Sequence, residues 1–306
     1  MDRRGFFRTL MGGSTAETPS GTTLDFRYSE HVPQFALDQW TLTLHGLTDP
    51  ISTVLHWSDI TALPQAEMPF AMACIGSSVG GQWIRQAVWQ GVYLRDVLAK
   101  ITIKPQATRS RLIGADGYQT GVDLAWLNHP DTLLAYAING QPLTAEQGFP
   151  ARILIPGLYG QKMPKWIQRI ELVAYPFRGY WESLGWSDTA DVQTTSWFTT
   201  PQNKMVISRK IRLQGFAFAG LRQITQVEIR IDGGDWLPAE LQKPASPHAC
   251  TPWSLAWEPA TPGMISLEVR ATDSSGFTQS ESASAKPRPD GTGKIHQVMV
   301  HIAESA

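Results

Sequence analysis

Apolar residues in this chain recur in short runs bounded by glycine or proline, and this pattern restricts the fold more than any other feature. Among the 306 residues are 26 glycines and 21 prolines, and long stretches with the apolar spacing of an amphipathic helix are scarce. The sequence therefore predicts a β-rich protein with short helices and many turns.

Two domains are predicted, because 306 residues are many for one hydrophobic core. In the first domain, residues 23–195, strands and short helices alternate, which is typical of an α+β fold. Strands are predicted at 40–47, 112–118, 133–138 and 152–157, and short helices at 58–63 and 92–100.

The pattern changes near residue 196. Segments such as 206–213, 227–231 and 265–271 alternate apolar with polar residues and are separated by turn signals. Short alternating strands over about 100 residues are typical of a β-sandwich. Residues 196–306 are therefore predicted to form an all-β domain of the immunoglobulin-like kind.

The N-terminal segment, residues 1–22, is polar and rich in Gly, Ser and Thr, and is predicted to be a disordered leader. Arg3-Arg4-x-Phe6-Phe7 resembles the core of a twin-arginine export signal, but Arg8 interrupts the apolar region that such a signal needs. We expect a degenerate signal and a periplasmic protein, with the cytoplasm as the alternative.

Composition argues against several classes of protein. The formal net charge is −1 and basic residues form no block, so nucleic acid is not an expected partner. No stretch approaches the roughly 20 apolar residues of a membrane span. Cys74 and Cys250 are the only cysteines, too few for a tetrahedral zinc site or an iron–sulfur cluster, and a c-type haem motif is absent.

Cys74 is the main candidate for chemistry. It follows the apolar run 69–73 and begins the glycine-rich loop 75–81. Glycines let the backbone approach a bulky group closely, and a thiolate there would serve as a ligand for a redox metal or as a nucleophile. The alternative is a buried cysteine that only fills the core.

Two basic residues lie near glycine-bearing turns. Arg152 begins a strand, and Lys165 follows the loop 156–164, which contains Gly157 and Gly160. Loop amides together with arginine and lysine would cradle a phosphate group, although solvated surface charges are the alternative. No Walker loop or Gly-x-Gly-x-x-Gly motif occurs, so nucleotide hydrolysis and nicotinamide binding are not supported.

Two further side chains are candidates for the site. Tyr118 stands at a strand end, from which its phenol would project into a cleft, and His31 stands in a loop, where it would contact a metal or cofactor. The alternatives are a half-buried tyrosine with a satisfied hydroxyl and an ordinary loop histidine.

An ordered set of motifs, over roughly residues 25–303, resembles the sulfite oxidase family. In the first domain the motifs are Cys74-x-Gly76, Gly80-Gly81, Ala87-x-Trp89-x-Gly91-Val92-x-Leu94-x-Asp96-Val97-Leu98, Tyr118-x4-Asp123-Leu124, Leu134-Ala135-Tyr136-Ala137-x-Asn139-Gly140-x-Pro142-Leu143 and Gly148-Phe149-Pro150-x-Arg152-x3-Pro156-Gly157-x2-Gly160-x4-Lys165-Trp166-x2-Arg169-Ile170. In the second domain they are Gly215-x-Ala217, Val227-Glu228-Ile229, Asp232-Gly233-Gly234-x-Trp236 and Arg270-Ala271-x-Asp273-x2-Gly276-x2-Gln279. The first set resembles that family's molybdenum-cofactor domain, and the second its immunoglobulin-like dimerisation domain.

The resemblance implies a molybdenum–molybdopterin cofactor whose metal is held by one cysteine thiolate and one pterin dithiolene. Cys74 would supply the thiolate, and Tyr118 would be a catalytic residue beside the substrate-facing oxo group. Arg152 and Lys165 would bind the pterin phosphate. The full set of cofactor contacts implied for this chain is His31, Cys74, Gln147, Arg152, Gly160, Lys162 and Lys165.

The chain also departs from the family pattern. Sulfite oxidases proper follow the ligand cysteine with Ala-Gly-Asn-Arg-Arg, where this chain has Ile-Gly-Ser-Ser-Val at 75–79. Gln147 replaces a histidine, and Ser29 replaces an arginine. Arg27 and Arg85 are the remaining candidates to hold an oxyanion, with ordinary surface residues as the alternative.

The sequence thus predicts an oxidoreductase that transfers an oxygen atom to or from a small substrate, sulfite or a similar oxyanion. These 306 residues show no cytochrome b5-like domain and no haem-attachment motif, so electrons are expected to pass to or from a separate, cytochrome-like protein. A homodimer through the C-terminal domain is implied by the resemblance. The alternatives are a sulfoxide reductase of the same family and a non-catalytic β-rich binding protein with a buried Cys74.

Overall fold

The computed structural model describes residues 29–208 and 210–304, and within them the protein is mostly β with short helices. The twin-arginine pattern, the predicted leader 1–22 and Arg27 lie outside these residues. In the described part, no helix is long and apolar enough to cross a membrane.

The first domain contains short helices and two main sheets. Its strands are β1 (Thr41–Gly46), β2 (Thr48–Asp49), β3 (Ser52–His56), β4 (Gln65–Ala73), β5 (Ile84–Tyr93), β6 (Thr102–Ile103), β7 (Arg109–Gly114), β8 (Gln119–Asp123), β9 (Leu133–Ile138), β10 (Gln141–Pro142), β11 (Arg152–Leu154) and β12 (Ile167–Val173). Its helices are α1 (Trp57–Thr61), α2 (Leu94–Leu98), α3 (Leu124–Leu127) and α4 (Tyr180–Ser183), with a 3-10 turn at Gly160–Lys162.

The two main sheets of this domain enclose one core. One sheet has the order β3-β1-β12-β7-β8, with β1 and β12 parallel, and the other has the order β10-β9-β5-β4, with β11 also beside β9. Strands β2 and β6 form a separate pair. Alternation along β1 buries Leu42 and Leu44 completely, which stabilises the fold by about 2 kcal/mol for each side chain.

The second domain is a sandwich of two sheets. Its strands are β13 (Thr195–Thr200), β14 (Val206–Ile207), β15 (Ile211–Phe218), β16 (Ile224–Ile231), β17 (Trp236–Pro238), β18 (Glu240–Leu241), β19 (Thr251–Trp257), β20 (Gly263–Asp273) and β21 (His296–Ile302). The sheet orders are β13-β15-β19-β18 and β14-β21-β20-β16-β17. Leu213 and Trp253 from the first sheet and Val269 and Val300 from the second are buried in one shared core.

The structure differs from the sequence-based expectation in helix content and in two boundaries. Val92 lies in β5, where it pairs with Leu134 of β9. The first residues of the helix predicted at 92–100 are therefore part of a strand. The strand predicted at 206–213 is two strands, and these join different sheets of the sandwich. Each helix of the described first domain has only four or five residues, so this domain is mostly β rather than evenly α+β.

The C-terminal half of β4 is buried on both of its faces. Phe70 and Met72 belong to the core of the first domain, whereas Ala71 and Ala73 belong to an apolar cluster that contains Trp197 of β13. A strand that packs on both faces has little freedom to shift. The residue that follows β4 is therefore held in place by both domains.

Hydrogen bonds join the same strand to a loop of the second domain. The backbone N–H of Ala71 donates to the carbonyl oxygen of His248 at 2.8 Å, and the hydroxyl of Ser246 donates to the carbonyl oxygen of Pro69 at 2.5 Å. The second domain thereby covers part of the outer edge of β4 and satisfies two of the strand's free backbone groups.

We predict that Gly81→Ala destabilises the protein more than Gly140→Ala. Both glycines have positive φ, +69° and +77°, but an added Cβ at Gly81 would lie 2.5 Å from the Trp197 ring, whereas at Gly140 it would meet nothing within 4 Å. The left-handed backbone costs about 1–2 kcal/mol at either position, and overpacking adds about 1–3 kcal/mol at Gly81. Denaturant unfolding measures both losses, and equal losses would contradict this account of the domain interface.

Candidate active site

A cavity of about 310 Å³ lies at the end of β4. Cys74 follows the last residue of this strand, and its backbone N–H donates to the carbonyl oxygen of Trp83 at 3.0 Å. Its own carbonyl oxygen accepts from the N–H of Ser77 at 3.0 Å, so the chain turns there. The cavity has the size of an ordinary small-molecule or cofactor site.

Five of the predicted site residues line this one cavity. They are Cys74, Tyr118, Arg152, Gly160 and Lys165. Cys74 comes from the end of β4, Tyr118 from the turn between β7 and β8, and Arg152 from the start of β11. The fold therefore brings together residues that are far apart in the sequence.

Three predicted cofactor contacts do not line the cavity. His31 is exposed, and its backbone N–H donates to the hydroxyl of Ser29. The side-chain oxygen of Gln147 accepts from the backbone of Thr144 at 2.9 Å. Lys162, in the 3-10 turn, is completely buried in an ion pair with Glu182 and is absent from the cavity lining.

The oxyanion candidate Arg85 also lies outside the cavity lining. Its guanidinium donates to the carbonyl oxygens of Gln82 and Ile84 at 2.7 Å and 3.0 Å. Arg27, the other candidate, lies outside the described residues.

The environment of Cys74 favours metal ligation over nucleophilic catalysis. The side chain is half-buried and free of any disulfide, as is the fully buried Cys250. Burial raises the pKa of the Cys74 thiol, and a hydrogen bond from the backbone of Gly76 opposes this only in part. A nucleophilic cysteine needs a lowered pKa, whereas a metal displaces the thiol proton when it binds.

Tyr118 keeps its proton at neutral pH. The side chain is 7% exposed, and its hydroxyl donates to the carbonyl oxygen of Gln161 at 2.5 Å. Burial raises the pKa of Tyr118 well above its usual value, and the negative charge of Glu182 raises it further. A neutral phenol that lines the cavity is able to hold or deliver a proton there.

Arg152 is a buried cation with incomplete pairing. Its Nη1 and Nη2 donate to the carbonyl oxygens of Gln147 and Met163 at 3.1 Å and 3.4 Å, and the guanidinium lies 5.4 Å from the centroid of the Trp89 ring. Its Nε has no partner, and no ion pair of the described residues includes this side chain. Burial lowers the pKa of Arg152 to about 10. Such a group fits an anionic ligand, because an unpaired charge in a protein interior is costly.

Lys165 is held close to the cavity by its neighbours. Its Nζ donates to the carbonyl oxygen of Glu146 at 2.6 Å. Gly148 lies so close to Lys165 that a Cβ added at position 148 would be 2.9 Å from the Cβ of Lys165. Trp166 has a φ of +51°, a left-handed conformation that is uncommon for a bulky residue, and its indole N–H donates to Ala145. A glycine at position 148 is thus what allows this close approach.

Sequence reasoning missed several residues of the lining. Trp83, Trp166, Trp181 and Trp186 all line the cavity, as do Met72, Met163, Asp116 and Gln161. Trp166 follows Lys165 in one of the quoted motifs, but Trp83, Trp181 and Trp186 come from two other segments and share no spacing with the motif residues, so no local pattern indicates them.

Protein side chains alone would not complete a metal site here. In residues 29–208 and 210–304, no group of three or more His, Cys, Asp or Glu side chains is placed to hold a metal ion. A metal bound to Cys74 would take its other ligands from a non-protein group, which is what a pterin dithiolene provides. The donor set and the buried Arg152 therefore fit a molybdopterin cofactor.

Comparison with known proteins agrees with this geometry. A family model described as an oxidoreductase molybdopterin-binding domain matches residues 29–181, which is half of the chain. The chain is 28% identical over 315 residues to a nitrate reductase [NADH] of rice, with 82% of this chain and 34% of that protein covered. It is 29% identical over 297 residues to the mitochondrial sulfite oxidase of the rat, with 80% and 54% covered. The chain thus spans a third to about half of the length of these curated relatives.

Among solved structures, the fold matches the sulfane dehydrogenase SoxCD of Paracoccus pantotrophus. The TM-score is 0.73, with 21% sequence identity, 89% of this chain and 81% of that chain covered. At this level of identity, the likeness concerns the fold.

We predict that Arg152→Met weakens retention of the cofactor without destabilising the cofactor-free protein. The loss of a charge-assisted contact costs about 1.5–3 kcal/mol, roughly 10- to 150-fold in affinity, while the removal of an unpaired buried cation offsets the lost backbone contacts. Molybdenum per chain after dialysis and the thermal midpoint of the cofactor-free form are the measurements. Arg169→Met, at an exposed position of β12, is the control, and equal molybdenum in both variants would contradict the assignment.

Proposed function

This chain belongs to the family of oxidoreductases with a molybdopterin-binding domain, and from that premise we propose that its cavity holds a molybdenum cofactor and catalyses oxygen-atom transfer on a small substrate. The observation that carries the proposal is the meeting of Cys74, Tyr118, Arg152 and Lys165 at one cavity. The family match sets aside the alternative of a non-catalytic binding protein.

Each of these residues has a distinct role in the proposal. Cys74 supplies the one thiolate that the protein contributes to the metal. Arg152 and Lys165 bind the pterin phosphate, and Arg152 thereby gains the anion that it lacks. When bound, the cofactor supplies the two-electron oxygen-atom transfer chemistry.

Tyr118 acts on the substrate side. Its raised pKa keeps the phenol neutral. A substrate oxygen would replace the carbonyl oxygen of Gln161 as the acceptor of its one proton, and the phenol would hold the proton near that oxygen. The surrounding indole rings of Trp83, Trp181 and Trp186 exclude water from the cavity.

The remaining parts of the proposal rest on the sequence resemblance. Electrons pass to or from a separate, cytochrome-like protein, and the immunoglobulin-like second domain forms a homodimer. A periplasmic location is proposed from the twin-arginine pattern.

A second candidate, the reduction of an organic sulfoxide, is favoured by the lining of the cavity. Trp83, Trp181, Trp186 and Met72 contribute apolar surface, and the oxyanion candidate Arg85 does not reach the cavity. An apolar surface suits an uncharged organic molecule better than it suits sulfite, because an anion loses its hydration there.

Metal analysis and steady-state kinetics test the function. We expect about one molybdenum per chain in the purified protein and turnover of one of two substrate types. Sulfite oxidation is followed with ferricyanide as the acceptor, and sulfoxide reduction with methionine sulfoxide and reduced benzyl viologen. Turnover of sulfite supports the first candidate, turnover of the sulfoxide supports the second, and absence of molybdenum would overturn both.

We predict that Cys74→Ala abolishes turnover and leaves the fold intact. The variant removes the protein's metal ligand, whereas one small half-buried side chain contributes little packing, about 1 kcal/mol or less. Turnover with the active substrate and the circular dichroism spectrum are the measurements. Cys250→Ala, at the other, buried cysteine, is the matched control and should remain active; full activity of Cys74→Ala would refute the ligand assignment.

A further inference from the structure

Lys162 has its charge matched entirely within the protein. The side chain is 0% exposed, and its Nζ lies 2.6 Å from Oε1 of Glu182, also 0% exposed, and 3.6 Å from Oδ1 of Asp188. The ammonium group also donates to the carbonyl oxygen of Gly121 at 2.8 Å. The 3.6 Å contact with Asp188 is an ion pair rather than a hydrogen bond. Because the Lys162 side chain has no exposed surface and is absent from the cavity lining, none of its donors faces a phosphate in the cavity.

The same two carboxylates connect Lys162 to neighbouring strands. Oε1 of Glu182 accepts a hydrogen bond from the hydroxyl of Thr120 at 2.8 Å, and Thr120 lies on β8. Asp188 accepts from Nη1 of Arg109 of β7 at 3.2 Å. The ion pair therefore stands at the centre of a network that reaches both strands beside Tyr118.

The carboxylates belong to a segment that lines the cavity, residues 180–188, called here the lining segment. Trp181 and Trp186 of this segment line the cavity, and Glu182 lies between them in the chain. A second tie runs from Nε2 of Gln161 to the carbonyl oxygen of Ser187 at 2.7 Å. The 3-10 turn and the lining segment are thus joined by side chains of adjacent residues.

We propose that Lys162 is a positioning residue, which through Glu182 holds the lining segment and its two tryptophans against the cavity, and that it does not contact the cofactor. The proposal rests on the proposed function only in taking this cavity to be the cofactor site. It differs from the role that the resemblance implies for Lys162, because a fully buried ammonium group that is paired with two carboxylates and is absent from the cavity lining is not placed to bind a phosphate there.

The energetics of buried ion pairs decide how to test it. Removing one partner leaves an uncompensated buried charge and destabilises strongly, whereas replacing both by apolar residues of similar volume is often tolerated. The informative variant is therefore the double substitution Lys162→Met with Glu182→Leu. Asp188→Asn is a milder second variant, because Asp188 is 29% exposed and its loss leaves the Lys162–Glu182 pair intact.

Hydrogen exchange of the holoenzyme measures how firmly the lining segment is held. The N–H groups of Ser183, Gly185 and Trp186 donate to carbonyl oxygens within residues 179–182, so their exchange reports local opening. We expect the double variant to exchange these amides about tenfold faster or more, and Asp188→Asn to show a smaller increase. Peptides from the second domain should be unchanged in both.

Molybdenum per chain is measured on the same samples and should equal that of the parent protein. If the parent turns over sulfite or methionine sulfoxide, KM should rise about fivefold or more in the double variant while kcat stays within about twofold, since the tryptophans contact substrate rather than the reacting atoms. The control is Arg270→Met with Glu228→Leu, which removes a 2.8 Å ion pair of the second domain.

Two results would overturn the proposal. Loss of molybdenum with unchanged exchange in the lining segment would make Lys162 a cofactor contact, and unchanged exchange with unchanged molybdenum would leave it without a positioning role. A parent protein that contains no molybdenum would refute the proposed function, while the exchange measurement would still decide whether Lys162 holds the lining segment.

Discussion

The packing of β4 on both of its faces is the constraint on which the candidate site depends. Phe70 and Met72 pack in the core of the first domain, and Ala71 and Ala73 pack against the second. Alternating side chains of one strand thus join two cores, and Cys74 follows immediately. A half-buried loop cysteine alone would be mobile, but here its strand is fixed by apolar contacts on either side and by backbone hydrogen bonds to residues 246 and 248.

Two of the buried cations near the cavity, Lys162 and Arg152, differ in how their charges are paired. Lys162 is fully neutralised by Glu182 and Asp188, whereas Arg152 is surrounded by carbonyl oxygens and an aromatic ring and has no anion among the described residues. A neutralised cation holds the structure together, and an unneutralised one is available to a ligand. The difference in pairing, rather than the residue type, separates the structural role from the binding role.

Much of the strand framework could be predicted from the sequence, because alternation and turn residues are local signals. The strand Leu133–Ile138 has the bounds that its apolar run indicates. Helix ends were less predictable, since the pairing of Val92 with Leu134 depends on a strand that is distant in the sequence. In the site, Cys74, Tyr118, Arg152, Gly160 and Lys165 could be named from motifs. The tryptophans of the lining and the burial of Lys162 could not, because they depend on how loops from different elements meet.

The contact between Ser246 and Pro69 joins residues that are 177 positions apart in the chain, and this has a consequence for the order of biosynthesis. Synthesis of the chain begins at its N-terminus, so β4 is made long before the loop that covers it. Until that loop arrives, one face of β4 and the turn at Cys74 remain exposed to water. The strand that leads to Cys74 is therefore packed on both faces only when synthesis has passed residue 246, so the first domain made alone would hold the Cys74 turn less firmly than the full chain does.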